Sequence, residues 1–153
     1  MTERVATTDA AAASFLTLAD AEGASIPMYA RLCRAIAAAP PLASLLLEAP
    51  AGRIENGDDP ASTAARELEE EAGYSAGSIE SLGSILVAPG YTTERIHLYL
   101  ATDLTPVPPR PDEDERIEVV KMPFEEALAR IDGGEIDDAK TIVALLRTAA
   151  RRP

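Results

Sequence analysis

The chain has 153 residues, a length that suits one domain. Its net charge of −12 at pH 7 repels a phosphate backbone and argues against nonspecific nucleic-acid binding. Aromatics are only 4% and Trp is absent, so the core must be built mainly from Ala, Leu, Ile and Val.

The first residues, MTERVATTD, carry acids and no apolar h-region, so no signal peptide is expected. Residues 9–39 are predicted to be helical. DAAAASFLTLADAE is Ala-rich, and after a turn at Gly23, Pro27 opens MYARLCRAIAAA with Met28, Leu32 and Ile36 on one face. Cys33 in this stretch is the only cysteine and reads as a packed thiol; no intramolecular disulfide can form, which suits a reducing compartment. Pro40-Pro41 ends the helix, and ASLLLEAP reads either as a strand or as a buried helical turn. AGRIENGDDP is a predicted loop, and ASTAARELEEEAG a helix stopped by Gly73. SIESLGSILVAPG and ERIHLYLATDL are predicted strands, the second alternating Ile96, Leu98 and Leu100 with His97, Tyr99 and Ala101. His97, the single histidine, reads as structural. A Pro-rich acidic loop, TPVPPRPDEDE, precedes the strand RIEVVKM. PFEEALARIDGG is a short helix, and DDAKTIVALLRTAARR a last one with Ile142, Leu145, Leu146 and Ala149 on one face. No apolar run approaches the roughly 18 residues of a membrane helix, so a cytoplasmic enzyme without a membrane partner is the default expectation.

The chemistry concentrates after residue 50. On a helix, Glu67, Glu70 and Glu71 share one face and Glu69 turns away. Like charges so spaced repel by a few tenths of a kcal/mol, so carboxylates converging there ask for a counter-ion, and a hard divalent cation such as Mg²⁺ or Mn²⁺ is the natural one. A solvated acidic face is the commoner explanation of such a run. The preceding loop tips the balance. Gly52, five residues, Asp58, seven residues, Arg66-Glu67-Leu68, one residue, Glu70-Glu71, one residue and Gly73-Tyr74 resemble the Nudix box, with Asp58 where the family has Glu.

LLLEAPAGRIENGDDP, Pro89 placed 16 residues after Gly73, APGYTTERIHLYLA, DEDERIEVV and GEIDDAKTIVALL also resemble the ADP-ribose pyrophosphatase subfamily, over roughly residues 45–150. The resemblance implies metal ligands at Glu67, Glu71, Glu115 and the Ala51 carbonyl. It implies a general base at Glu113, with Glu70 in or beside the cluster as a second catalytic acid. Arg66 would orient the carboxylates, and Gly52, Asp58 and Gly73 would shape the box. Glu94 matches an acid near the phosphates and reads equally as a surface residue opening a strand; Tyr91, at a turn facing the site, is a candidate substrate contact. The reaction implied is hydrolysis of a pyrophosphate, ADP-ribose giving AMP and ribose 5-phosphate.

One part of the pattern departs from the family. Residues 1–43 show no alternation of β-branched and aromatic residues, whereas the subfamily has strands there that complete the sheet, the adenine pocket and the homodimer. Residues 1–49, with ASIPMYARLCRAIAAAPPLASLLLEAP, are vaguely similar to the opening of an uncharacterised bacterial helical family, which suggests a fusion with its seam at LLLEAPAG, or a replaced Nudix front. The expected architecture is therefore a Nudix-like α/β/α sandwich with a mixed sheet, its front strands missing and replaced by helices. A helical segment at 1–44 would precede a Nudix domain at 45–153. The exposed sheet edge would make the protein marginally stable or prone to associate, with weak ADP-ribose hydrolysis. The alternatives are another nucleotide-sugar or dinucleotide substrate, or a metal-binding remnant without significant turnover.

Overall fold

The computed structural model describes residues 11–17, 25–32, 45–55, 57–111 and 117–152, with side chains described from residue 46 onward. In chain order the elements are β1 (Ala11–Thr17), β2 (Ser25–Leu32), β3 (Leu45–Glu48), β4 (Ala51–Arg53), α1 (Pro60–Ala72), β5 (Tyr74–Leu86), β6 (Arg95–Pro106), β7 (Ile117–Pro123), α2 (Phe124–Asp132) and α3 (Ala139–Ala149). They form a Nudix-like α/β fold. One sheet has four strands in the order β4-β1-β6-β5, and a second has three in the order β3-β2-β7. The first is mixed: β1 runs parallel to β6 and antiparallel to β4.

The helical expectation for residues 9–39 is corrected by β1 and β2, and with it the truncated sheet. Ala is the best helix former, but its preference over ordinary residues amounts to less than about 0.7 kcal/mol per position and tertiary context overrides it. Here both flanks of the backbone are engaged: β1 lies between β4 and β6, and β2 between β3 and β7. β1 lies inside the sheet that is covered on both faces, where strands read as near-continuous apolar runs, so the missing alternation did not exclude it. Pro27 opens no helix; it sits inside β2 opposite Lys121 of β7. The β3 ladder reaches only from Tyr29 to Leu32, so the proline lies where the strand has one paired neighbour. Residues 9–10, 18–24 and 33–44, with Gly23, Cys33 and Pro40-Pro41 among them, lie outside the described residues. ASLLLEAP resolves as strand β3, and the loop expected at AGRIENGDDP begins with strand β4.

Strand β6 is covered on both faces. Ile96 and Leu98 join Leu82, Met122, Phe124, Ala127, Ile136, Ala144 and Leu145 in the larger core, with Leu100 packed against it. On the other face Ala101 packs with Leu68 and Ala72, and Tyr99 with Ala64, all from α1. Helix α3 therefore covers one face of the sheet and α1 the other. The face expected for α3 is shifted: Leu146 is exposed, and the buried residues are Thr141, Ala144, Leu145 and Thr148. Among the described residues no helix is long and apolar enough to cross a membrane.

Helix α1 ends at Gly73, whose left-handed backbone (φ 67°) turns its N–H back to the Glu69 carbonyl at 3.1 Å. A Cβ there would lie 2.9 Å from the Val107 carbonyl oxygen and 3.2 Å from Pro109 Cδ. Gly73→Ala thus meets both an unfavourable φ and a backbone clash, and is expected to cost about 1–3 kcal/mol, read as a lowered denaturation midpoint.

Candidate active site

Local chemistry sets the register of α1. The Asp59 side chain accepts the Ser62 N–H at 3.0 Å, Pro60 occupies the first helical turn, and Gly73 stops the helix. Between these stops the buried stripe is Thr63, Ala64, Leu68, Glu71 and Ala72. A carboxylate in such a stripe, 5% exposed at Glu71, needs a partner, and the Ala51 N–H donates to Glu71 Oε2 at 3.1 Å. Glu67, one turn earlier, lies against Gly52: a Cβ on Gly52 would overlap the Glu67 carboxylate. Both carboxylates are thus directed at the first two residues of β4. A side chain on Gly52 would displace the Glu67 carboxylate from this position.

Arg66 ties two members of the acidic face together. Its Nη2 lies 2.8 Å from Glu67 and its Nη1 2.8 Å from Glu70. Burial alone would lower its pKa, but the two carboxylates outweigh that and hold the guanidinium above its ordinary value. It stays cationic and can hold both acids in fixed geometry. Asp58 is exposed, in the turn before the helix cap, with its N–H on the Glu55 carbonyl at 3.1 Å.

The other candidates are placed as follows. Glu94 is half-buried at the entry to β6, its N–H on Thr92 Oγ1 and its carbonyl accepting from Val87. Tyr91 is 97% exposed in the turn between β5 and β6. Glu113 and Glu115 lie outside the described residues. The chain that flanks them is tied to α1 at both ends. The Arg110 N–H donates to the Glu70 carbonyl at 2.9 Å, and Ile117 packs with Leu68 and Ala72. Among the described residues no three His, Cys, Asp or Glu side chains are grouped to hold a metal ion. The pair Glu67 and Glu71 offers hard oxygen donors, which fits a divalent cation completed by further oxygens.

The sequence reading missed a second polar cluster at the N-terminus of α3. Lys140 pairs with Glu48 Oε2 and lies 2.9 Å from Asp138, and Thr141 Oγ1 accepts the Ala49 N–H at 2.8 Å. One signal was available. A lysine in the first turn of a helix opposes the helix dipole, which implies a specific acid partner.

Comparison with known proteins shows the family. The NUDIX domain model matches residues 10–145. An ADP-ribose pyrophosphatase of Bacillus subtilis (strain 168) is 39% identical over 107 residues, covering 69% of this chain and 58% of that protein. A methanol dehydrogenase activator of Bacillus methanolicus is 42% identical over the same share of both chains. A GDP-mannose pyrophosphatase of Yersinia enterocolitica is 42% identical over 109 residues, covering 66% of this chain and 54% of its own length. The chain thus spans between about half and three fifths of these curated relatives. The crystal structure of an ADP compounds hydrolase superposes with a TM-score of 0.77 at 23% identity, over 96% of this chain and 75% of that one.

Proposed function

The chain belongs to the Nudix family, and on that premise we propose that it hydrolyses the pyrophosphate bond of a nucleoside diphosphate linked to a sugar, with ADP-ribose the foremost substrate. The observation that carries this reading is the convergence of Glu67 and Glu71 on Ala51-Gly52. It is supported by similarity to an ADP-ribose pyrophosphatase. The front strands β1 and β2 also remove the objection that the sheet lacked the elements on which the adenine pocket depends.

Nudix hydrolases generally need a divalent metal; here Mg²⁺ is proposed, with Mn²⁺ as substitute. Glu67, Glu71, the Ala51 carbonyl and Glu115 would hold it. When bound, it neutralises the pyrophosphate and lowers the pKa of a water. Arg66 keeps Glu67 and Glu70 oriented through its ion pairs. Glu113 accepts the water proton, and water adds to one phosphorus as the bridging oxygen leaves, giving AMP and ribose 5-phosphate. The similarity to GDP-mannose pyrophosphatases favours a second substrate, a GDP-sugar, cleaved at the same bond.

A panel of ADP-ribose, GDP-mannose, NADH and nucleoside triphosphates, assayed with and without Mg²⁺, tests this. Metal-dependent release of AMP from ADP-ribose is expected. Turnover of none of them would leave a metal-binding remnant as the better description.

Within the site, Glu113→Gln is expected to lower kcat by about 10²-fold while Mn²⁺ affinity stays near wild type, because a general base acts only as charge develops. Glu115→Gln should instead weaken the metal. The opposite pattern would exchange the two roles.

A further inference from the structure

Strands β3 and β4 belong to different sheets, and only Ala49 and Pro50 join them. This crossing delivers Ala51 to Glu71. Its backbone donors are divided between two helices: the Ala49 N–H goes to Thr141 Oγ1 of α3 at 2.8 Å, and the Ala51 N–H to Glu71 Oε2 of α1 at 3.1 Å. Pro50, between them, has no N–H and a fixed φ. A short rigid bridge therefore links the two helices through the site.

The α3 end of the bridge is held by a buried polar cluster. Thr141 Oγ1 donates to Asp138 Oδ2 at 2.5 Å, and Lys140 joins Asp138 to Glu48, the last residue of β3. Ala49 is 1% exposed, Thr141 0% and Glu48 7%. The second oxygen of Glu48 is buried without a hydrogen-bond partner. Buried ion pairs often give no more stability than an apolar pair of the same shape would. What the arrangement does supply is a defined position for the crossing.

We propose that Glu48, Asp138, Lys140 and Thr141 are positioning residues of the hydrolytic site, fixing Ala51 and, through its N–H, the Glu71 carboxylate in the geometry that binds the divalent cation. The inference rests on the proposed role of Glu71 as a metal ligand.

Thr141→Val keeps the shape of the side chain and removes the acceptor for Ala49. Thr141→Ser keeps the hydroxyl. Leu145→Val, on the same helix but in the apolar core, supplies a loss of stability without touching the crossing. Mn²⁺ affinity is measured by calorimetry on each protein, at a temperature where circular dichroism shows all of them folded, alongside kcat and KM for ADP-ribose. Loss of an outer partner of a ligand typically weakens metal binding about 10- to 100-fold. That loss is expected in Thr141→Val, with a lowered kcat, recovery in Thr141→Ser and wild-type affinity in Leu145→Val. Wild-type Mn²⁺ affinity in Thr141→Val, or an equal loss in Leu145→Val, overturns the positioning role. Glu71→Gln, titrated in parallel, separates the two levels. If it binds Mn²⁺ as wild type does, the metal site itself is wrongly assigned. If it loses Mn²⁺ and Thr141→Val does not, only the positioning role fails.

Discussion

Glu67→Gln and Glu71→Gln are each expected to lose on the order of 10³-fold or more in turnover, because a metal ligand stabilises charge that grows in the transition state. The two substitutions are nearly isosteric, so the fold should survive them. In Glu71→Gln the side-chain amide retains a carbonyl oxygen to accept the Ala51 N–H that Glu71 accepts at 3.1 Å. The replacement at Glu67 keeps the length of a side chain already fitted against Gly52 and loses the charge that pairs with Arg66 at 2.8 Å. The loss should therefore appear in kcat and in Mn²⁺ titrations by calorimetry, with circular dichroism melts little changed. Near wild-type turnover in both variants would sink the site. A large loss of stability in place of a loss of metal affinity would reduce Glu71 to a structural acid on the buried stripe of α1.

Lys140→Met is expected to be the most destabilising of the single substitutions, by about 3–5 kcal/mol, because it strands Glu48 as a buried carboxylate without its cation. The side chains of Lys140 and Glu48 are only 13% and 9% exposed. Replacing both partners, Glu48→Gln with Lys140→Met, should restore much of the loss, because the cost lies in the unpaired charge rather than in the missing bond. Urea melts of wild type and both variants check this, and a single variant as stable as wild type would refute it.

The same pair predicts a pH dependence. Burial alone would lower the Lys140 pKa, but Glu48 and Asp138 outweigh it and hold the amine above its ordinary value in the folded protein. The folded state then binds this proton more tightly than the unfolded chain. The stabilisation is fully present below the unfolded lysine value of about 10.4 and is lost as pH rises through the raised folded value. Stability from this group should be flat between about pH 7 and about pH 9 and fall at more alkaline pH. That fall should be smaller in Lys140→Met.

The acidic helix was legible in the sequence because everything that defines it is local. Asp59 and Pro60 start α1 and Gly73 stops it, all within one stretch of chain. Once those ends are set, the helical repeat alone puts Glu67, Glu70 and Glu71 on one side. The strand β6 was legible for the same reason: a period of two places Ile96 and Leu98 on one face and Tyr99 and Ala101 on the other.

What only the tertiary structure decided depends on partners far along the chain. Ala11–Thr17 is a strand because β4 and β6 offer it backbone partners on both sides, a gain that exceeds the small local helix preference of alanine. The same holds for Ser25–Leu32 between β3 and β7. Glu48 and Lys140 are 92 residues apart, and nothing in the spacing of either shows that folding buries them together. The sequence determined by itself which acids could share a helix face. The tertiary fold decided that β4 meets that face, with Gly52 against Glu67 and the Ala51 N–H on Glu71, because closing the sheet around β1 is what carries β4 to the helix.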